Sequence, residues 1–298
     1  MPSDTTDTDC LPVAAPLFDN LFLSVGAMKA GTTWLYSVLR HHPGIHFTPE
    51  KEIHYFYARY ENPKVLNERW RLNTAKLYGG FDPATVDAAL VARNLRWLSS
   101  YVAGPVDDLW FRTLFQDRRR ETWVADFSNL NALLSEASWR RVMAATERLR
   151  VLYTLRNPRD QVWSHVRFHL IMTGNRHKLE TWSADELASF ALSNAIWPHS
   201  DYAAAIRRMR AVLPSASLHV GFHHSMRDAP LAFVRQTEAF LDLPPHDYPP
   251  ALLDRQVNVT PEHPMPAGML EGIAPAVNRL VTELGDLGID VPESWSVR

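Results

Sequence analysis

Leu21-Phe22-Leu23-Ser24-Val25-Gly26-Ala27-Met28-Lys29-Ala30-Gly31-Thr32-Thr33-Trp34-Leu35 is the stretch that decides the fold. Its first five residues, mostly apolar and stopped by Gly26, predict a buried strand. Leu35, Val38 and Leu39 then fall at helical spacing from Thr32 to His42, where Pro43 ends the repeat. Between strand and helix lies a tight loop whose two glycines are separated by four residues. Glycines let backbone N–H groups approach an anion, the helix N-terminus adds its positive dipole end, and Thr32 and Thr33 supply hydroxyl donors. A nucleoside-triphosphate loop carries its lysine directly after the second glycine, whereas Lys29 precedes it here.

A second unit of the same kind follows. Residues 151–155 read as a strand, Asn157 as an N-cap and Pro158 as the first helical position, with the helix running through Ser164 to about Leu170. Arg156 ends the apolar strand, the place where ligands of open α/β sheets collect, and its planar fork of donors suits a phosphate. An ordinary ion pair with Asp160 is the plainer role for it. Residues 122–127 and 217–222 are further strand candidates, and Tyr202, Ile206, Met209 and Val212 lie at helical spacing. Strands alternating with helices predict an α/β fold with a mainly parallel sheet flanked by helices. Residues 57–121 mix Trp97, Tyr101, Trp110 and Phe111 with arginines and offer no strand, so a helical, aromatic-rich insertion over the sheet is expected there. A capping box at residues 183–186 starts another helix, and a helical pattern covers residues 269–284.

With 298 residues, 46% hydrophobic and 21% charged, the chain can bury a sizeable core. Residues 1–16, rich in Asp, Thr and Pro, are expected to form a disordered leader, and 17–298 a single domain. The first 20 residues hold four acids and no base; taking those from the 33 acids leaves 29 against 31 bases, too even a balance for a general nucleic-acid coat. The Arg118-Arg119-Arg120 run reads as a solvated helix face, so no nucleic-acid partner is expected. The single cysteine, Cys10, cannot close an internal disulfide, and a cytoplasmic location is the simplest expectation. No apolar run reaches the roughly 18 residues of a spanning helix, which leaves peripheral contact as the one expected mode of membrane association. Neither the histidine pairs His41-His42 and His223-His224 nor any Cys/His spacing forms a metal set, and no metal is expected.

Lys29-Ala30-Gly31-Thr32-Thr33-Trp34-Leu35 resembles the 5′-phosphosulfate loop of sulfotransferases that use 3′-phosphoadenosine 5′-phosphosulfate. The same family's second mark is an arginine at a strand end, a proline-containing turn and a serine eight residues on, matched here by Arg156, Pro158 and Ser164. The resemblance implies a P-loop-like sulfotransferase fold, donor binding by Lys29, Ala30, Gly31, Thr32, Thr33 and Trp34, and 3′-phosphate binding by Arg156 and Ser164. Residues 256–260 resemble a loop that closes over the nucleotide in relatives, which assigns Asn258 and Thr260 to the donor as well.

Lys51-Glu52 with an aromatic close behind is similar to the carbohydrate-type and bacterial branch, where the glutamate is the general base. A solvated charge pair is the plain alternative, and burial would raise the basicity of Glu52 while Lys51 pulls the other way. His54 is the rival base, its intrinsic pKa being suited to neutral pH, and a structural histidine closing a turn is the equal alternative. Asp126 stands at a strand end where relatives often carry a glutamate before Ser/Thr-Pro; here the proline is missing, and acceptor binding and a helix cap are both open to it. Relatives often have an acidic pair where His223-His224 stands. Trp97 and Tyr101 are candidates for binding a sugar face, a phenol or a lipid chain, or for filling the core. The reaction implied is metal-free transfer of a sulfuryl group to a hydroxyl, less readily an amine, of a carbohydrate, lipid or small metabolite, releasing adenosine 3′,5′-bisphosphate. A P-loop kinase and a non-catalytic nucleotide-binding protein are the competing classes. Composition leaves the oligomeric state open.

Overall fold

Side-chain alternation along one strand sets the layers. In β1 (Phe18–Ser24), Leu21 and Leu23 join the hydrophobic cluster on one face of the sheet and Phe22 the cluster on the other, all fully buried, as a strand covered on both sides requires. The computed structural model describes residues 16–82, 84–255, 257 and 263–297. β1 is the central strand of a five-stranded parallel sheet of order β2-β3-β1-β4-β5, with β2 at Ile45–Phe47, β3 at Trp123–Phe127, β4 at Thr146–Leu155 and β5 at Leu218–Phe222. Leu21 stands opposite Val124 on one side and Leu149 on the other, and Leu155 opposite Phe222.

Parallel strands need crossovers, which helices supply. These are α1 (Thr32–Leu39), α2 (Tyr55–Tyr60), α3 (Glu68–Gly79), α4 (Ala88–Val102), α5 (Asp108–Thr113), α6 (Glu136–Ala144), α7 (Pro158–Met172), α8 (Lys178–Thr181), α9 (Ala184–Ala191), α10 (Tyr202–Arg210), α11 (His223–Asp228), α12 (Pro230–Phe240), α13 (Pro250–Leu253) and α14 (Ala267–Asp286). α1 and α12 cover one face, where Leu35, Val38 and Phe233 meet Phe22 and Trp123. Residues of α2, α4, α5, α6 and α10 join the core on the other. α7, α9 and α14 share a third cluster through Val162, Leu187 and Ile273. No described helix is long and apolar enough to cross a membrane.

The two strand–loop–helix units of the sequence stand as expected, with Asn157 accepting from Arg159 N and Pro158 opening α7. α1 stops at Leu39, three residues before the proline pattern implied, because His42 turns the chain into β2: its Nδ1 accepts from Gly44 N at 2.9 Å and its Nε2 contacts Pro244 O. β2 itself has three residues and too little pattern to be read from sequence. The expected leader lies outside the described residues apart from Pro16.

Between residues 57 and 121 the described chain is helical, as composition implied. Trp97 and Tyr101 stack at 4.7 Å, and Tyr55 lies against Phe111 at 4.3 Å in the main core. The buried Arg71 of α3 holds the α3–α4 pair together, its Nη1 donating to the carbonyls of Tyr101, Val102 and Ala103 at the end of α4. A cation on the last carbonyls of a helix satisfies groups that the helix cannot pair and opposes its dipole favourably. Arg71→Met keeps the stem and removes those bonds; it is expected to cost about 2–3 kcal/mol locally. Hydrogen exchange should then quicken in α3 and α4 while the β1 and β4 amides keep their protection, and equal loosening of the sheet would refute a local role.

Candidate active site

The cradle is built where β1 and β4 run side by side. Beyond β1, Ala27 N donates to Thr154 O at 2.7 Å and Thr154 N to Gly26 O at 2.8 Å, so the loop is stitched to the end of β4. Arg156 Nη1 donates to Lys29 O at 3.0 Å and Gln161 Nε2 to Met28 O at 2.9 Å. The two motifs, 127 residues apart, thus form one structure. Gly31, at φ +85°, caps α1, and a Cβ there would lie 2.9 Å from both His223 Cδ2 and Met226 Sδ. The helix that replaces the expected acidic pair, α11, therefore backs the loop. Ala30 is fully buried, Thr32 nearly so, and Trp34 Nε1 donates to Leu253 O, tying α1 to α13. Ser164 sits on the buried side of α7.

Lys29 lies with its Nζ 4.8 Å from the Phe168 ring centroid. Burial lowers its pKa, and the charges of Arg156, Arg167 and Lys51 lower it further. Such a gathering of cations costs free energy until an anion sits among them, so the residues present fit a multiply charged phosphate donor. Arg167 was not singled out from sequence, although it stands three residues after Ser164, on the same side of the helix.

Facing the cradle is the loop before α2. Glu52 N donates to Phe127 O at 2.9 Å, and the Glu52 carboxylate accepts from Asn129 N at 3.0 Å and Asn129 Nδ2 at 3.2 Å. Lys51 Nζ pairs with Glu52 Oε1 and lies 3.4 Å from Thr32 Oγ1, so one ammonium bridges cradle and carboxylate. Burial would raise the Glu52 pKa, but Lys51, His54 and the Asn129 amide outweigh it and hold it below the ordinary carboxylate value. The competition noted from sequence is thus decided for Lys51. His54 Nε2 is 3.5 Å from Glu52 Oε2, and burial lowers the imidazole's pKa despite that neighbour. Lys29, Glu52 and His54 have φ of +63°, +69° and +59°, and a fourth such residue, Asp242, lies elsewhere. Side chains held in this costly region concentrate where the surroundings impose them.

Asp126 is 2% exposed and accepts from Ser128 Oγ at 2.8 Å, while that same Oγ accepts from His54 N at 2.8 Å. Burial pushes its pKa up to about 7. The structure thus places Asp126 beneath the loop, buried and joined to it through Ser128. Trp97 and Tyr101 are likewise core residues, 4% and 0% exposed. Their link to the site is indirect: Tyr78, edge-on to Trp97 at 5.4 Å, donates to Glu50 Oε2 at 2.7 Å. Glu50, which the sequence did not single out, is pushed by burial up to about 7. Asn258 and Thr260 lie outside the described residues. Among the described residues no group of three or more His, Cys, Asp or Glu is arranged to hold a metal ion.

A family model described as the sulfotransferase family matches residues 22–247. Among solved structures, the sulfotransferase of Alicyclobacillus acidocaldarius aligns with a TM-score of 0.62 at 23% identity, over 92% of this chain and 97% of that one. The sulfotransferase domain from the curacin biosynthetic pathway aligns with a TM-score of 0.50 at 12% identity, over 93% of this chain and 99% of that one. No curated protein matches the chain.

Replacing Lys51 by Met removes the cation that outweighs burial at Glu52. The Glu52 pKa is expected to rise, since the opposite charge that opposes burial is gone. Carboxyl ¹³C shifts followed through a pH titration read this directly; an unmoved midpoint would show that His54 and Asn129 hold the carboxylate ionised without Lys51.

Proposed function

The chain belongs to the sulfotransferase family, and on that premise we propose that it transfers the sulfuryl group of 3′-phosphoadenosine 5′-phosphosulfate to a hydroxyl, less readily an amine, of a carbohydrate, lipid or small-metabolite acceptor. The observation that carries this reading is the Arg156–Lys29 bond, which joins the 3′-phosphate motif to the phosphosulfate loop. The cations around Lys29 support a donor with several negative charges, and Glu52 across from them supports proton removal. A kinase would need its lysine after Gly31, and a purely nucleotide-binding protein would have no use for Glu52 beside the cradle. We take residues 17–298 as one domain working in a reducing cytoplasm.

Glu52 accepts the acceptor's proton as the acceptor oxygen bonds to sulfur and the bond from sulfur to the phosphate oxygen breaks. Its low pKa keeps it ionised at neutral pH, and Lys51 must loosen its hold for the carboxylate to act as a base; the adjacent Thr32 hydroxyl and the donor's charge offer that ammonium another partner. Lys29 stabilises charge appearing on the departing phosphate, helped by Thr32, Thr33 and backbone N–H groups of the loop. Arg156 and Ser164, with Arg167 one turn on, hold the 3′-phosphate, and His54 fixes the Glu52 carboxylate from its other side.

Lys29→Ala is expected to lower turnover far more than binding of the bisphosphate product, because its charge matters most as the bond breaks; equal losses would assign it to ground-state binding. Glu52→Gln should bind that product normally and lose on the order of 10²-fold or more in turnover, with His54→Asn losing less. The reverse order would make His54 the base. Arg156→Ala and Ser164→Ala should each narrow the preference for the 3′-phosphorylated donor over its analogue lacking that group, and an unchanged ratio would remove both from the donor site.

A further inference from the structure

Two adjacent strand ends deliver side chains to one loop. β4 and β5 pair in parallel with Leu155 opposite Phe222, so the next residues, Arg156 and His223, leave the carboxyl edge of the sheet side by side. Ligands of open α/β sheets collect at this edge. Both residues reach the loop after β1. Arg156 Nη1 donates to Lys29 O at 3.0 Å, and the His223 ring lies beside Gly31, where a Cβ would stand 2.9 Å from His223 Cδ2 and 3.6 Å from its Nε2. Met226, three residues along α11, meets the same spot with its Sδ and is buried, whereas His223 keeps part of its surface open. His224 turns back on Phe222, their rings 5.3 Å apart, so of the histidine pair it is His223 that meets the loop.

An imidazole in this place suits an anionic ligand. A carboxylate there would compete with the donor for the Arg156 guanidinium, and an uncharged ring does not. The charged and titratable groups acting on His223 are Arg156 from the end of β4 and Arg227, His224 and Asp228 from α11, while α1 presents it with Gly31. Burial, then the positive charges of Arg156 and Arg227, pull its pKa down to about 4, and Asp228 offsets them only in part. An anion at the loop reverses that environment, because it favours the charged ring and screens it from Arg156. We propose that His223 is a donor-binding residue, whose imidazole takes a proton from solvent as a donor phosphate comes to rest against the loop and then donates a charge-assisted hydrogen bond to that phosphate. The inference rests on the sulfuryl-donor reading and adds to it a dependence of donor affinity on pH. Its sign follows from linkage: the occupied protein holds the ring's proton more tightly than the free one, so affinity gains as pH falls through the bound-state midpoint and the gain is lost above it.

The test titrates the full chain with adenosine 3′,5′-bisphosphate across a range of pH. Wild type is compared with His223→Phe, which keeps a ring against Gly31 without its nitrogens, and with Met226→Leu, which alters the same contact and leaves the imidazole. The ligand's phosphates and the other cations of the site titrate alike in all three, so ratios of dissociation constants isolate the imidazole. The ratio of His223→Phe to wild type is expected to grow about tenfold from about pH 8 to about pH 5, the scale of one charge-assisted hydrogen bond, while that of Met226→Leu to wild type stays level. Histidine ¹⁵N spectra read the same event directly: the imidazole signal missing from His223→Gln should titrate at higher pH with bisphosphate bound than without it. A His223→Phe ratio that does not change with pH, or a midpoint that the ligand leaves in place, would make the ring a packing element behind the loop and overturn the inference. If the melting temperature shows that His223→Phe has lost its fold, the ¹⁵N midpoint decides. A wild type that binds no bisphosphate at any pH overturns the donor reading instead. The same ¹⁵N titration with pyrophosphate then decides His223, a raised midpoint supporting an anion contact at the loop and an unmoved one overturning it.

Discussion

One guanidinium holds the site together. Arg156 leaves the end of β4 and donates to the carbonyl of Lys29, beyond the end of the neighbouring strand β1. Parallel pairing of the two strands brings both loops to the same edge of the sheet, and the bond then fixes one against the other. Lys29 is held at a positive φ by this and the adjoining contacts, its ammonium 4.8 Å from the Phe168 ring centroid. Were β1 and β4 not adjacent, neither motif would have a partner.

Opposed charges are arranged at a second level. On the cradle side burial disfavours the charged forms of Lys29, Arg156 and Arg167, and the charge of Arg156 adds to that cost at Lys29 and Arg167, a cost that a bound polyanion removes. Across from them Lys51 lies between Thr32 and Glu52 and leans toward the carboxylate. An anion arriving in the cradle competes for that ammonium, which links donor binding to release of the base by simple electrostatics. Below, Asp126, Ser128 and the His54 amide form a hydrogen-bonded chain that supports the loop carrying Glu52 at positive φ. Rigidity under the base and cations around the donor pocket are therefore separate devices, built from different strands.

The helical segment over the sheet is coupled to this loop through Tyr78 and Glu50. Contacts from the helical segment and from β3 thus converge on residues 49–54, while those from β4, Arg156 and α7 converge on the loop after β1. That division follows from the sheet: β1 and β4 deliver the donor loops, and β3 with the edge strand β2 frames the base loop.

The sequence by itself determined the two strand–loop–helix units, the capped start of α7, the displaced lysine and the helical nature of residues 57–121, because each is a local pattern read from adjacent residues. It named Lys29, Glu52, His54, Arg156 and Ser164, and adjacency in space brings Lys29 to Arg156 and Glu52 to His54. Only the tertiary structure decided that Lys51 outweighs burial at Glu52, since that balance depends on distances of a few ångströms set by the loop's unusual backbone. It also placed Asp126, Trp97 and Tyr101 in the interior. An aromatic residue or a carboxylate has the same letter whether it faces a ligand or the core, and which face it takes is fixed by packing between elements far apart in the chain. For the same reason β2 and the bridging role of Lys51 had no local signal: each arises from segments that meet only when the sheet has formed.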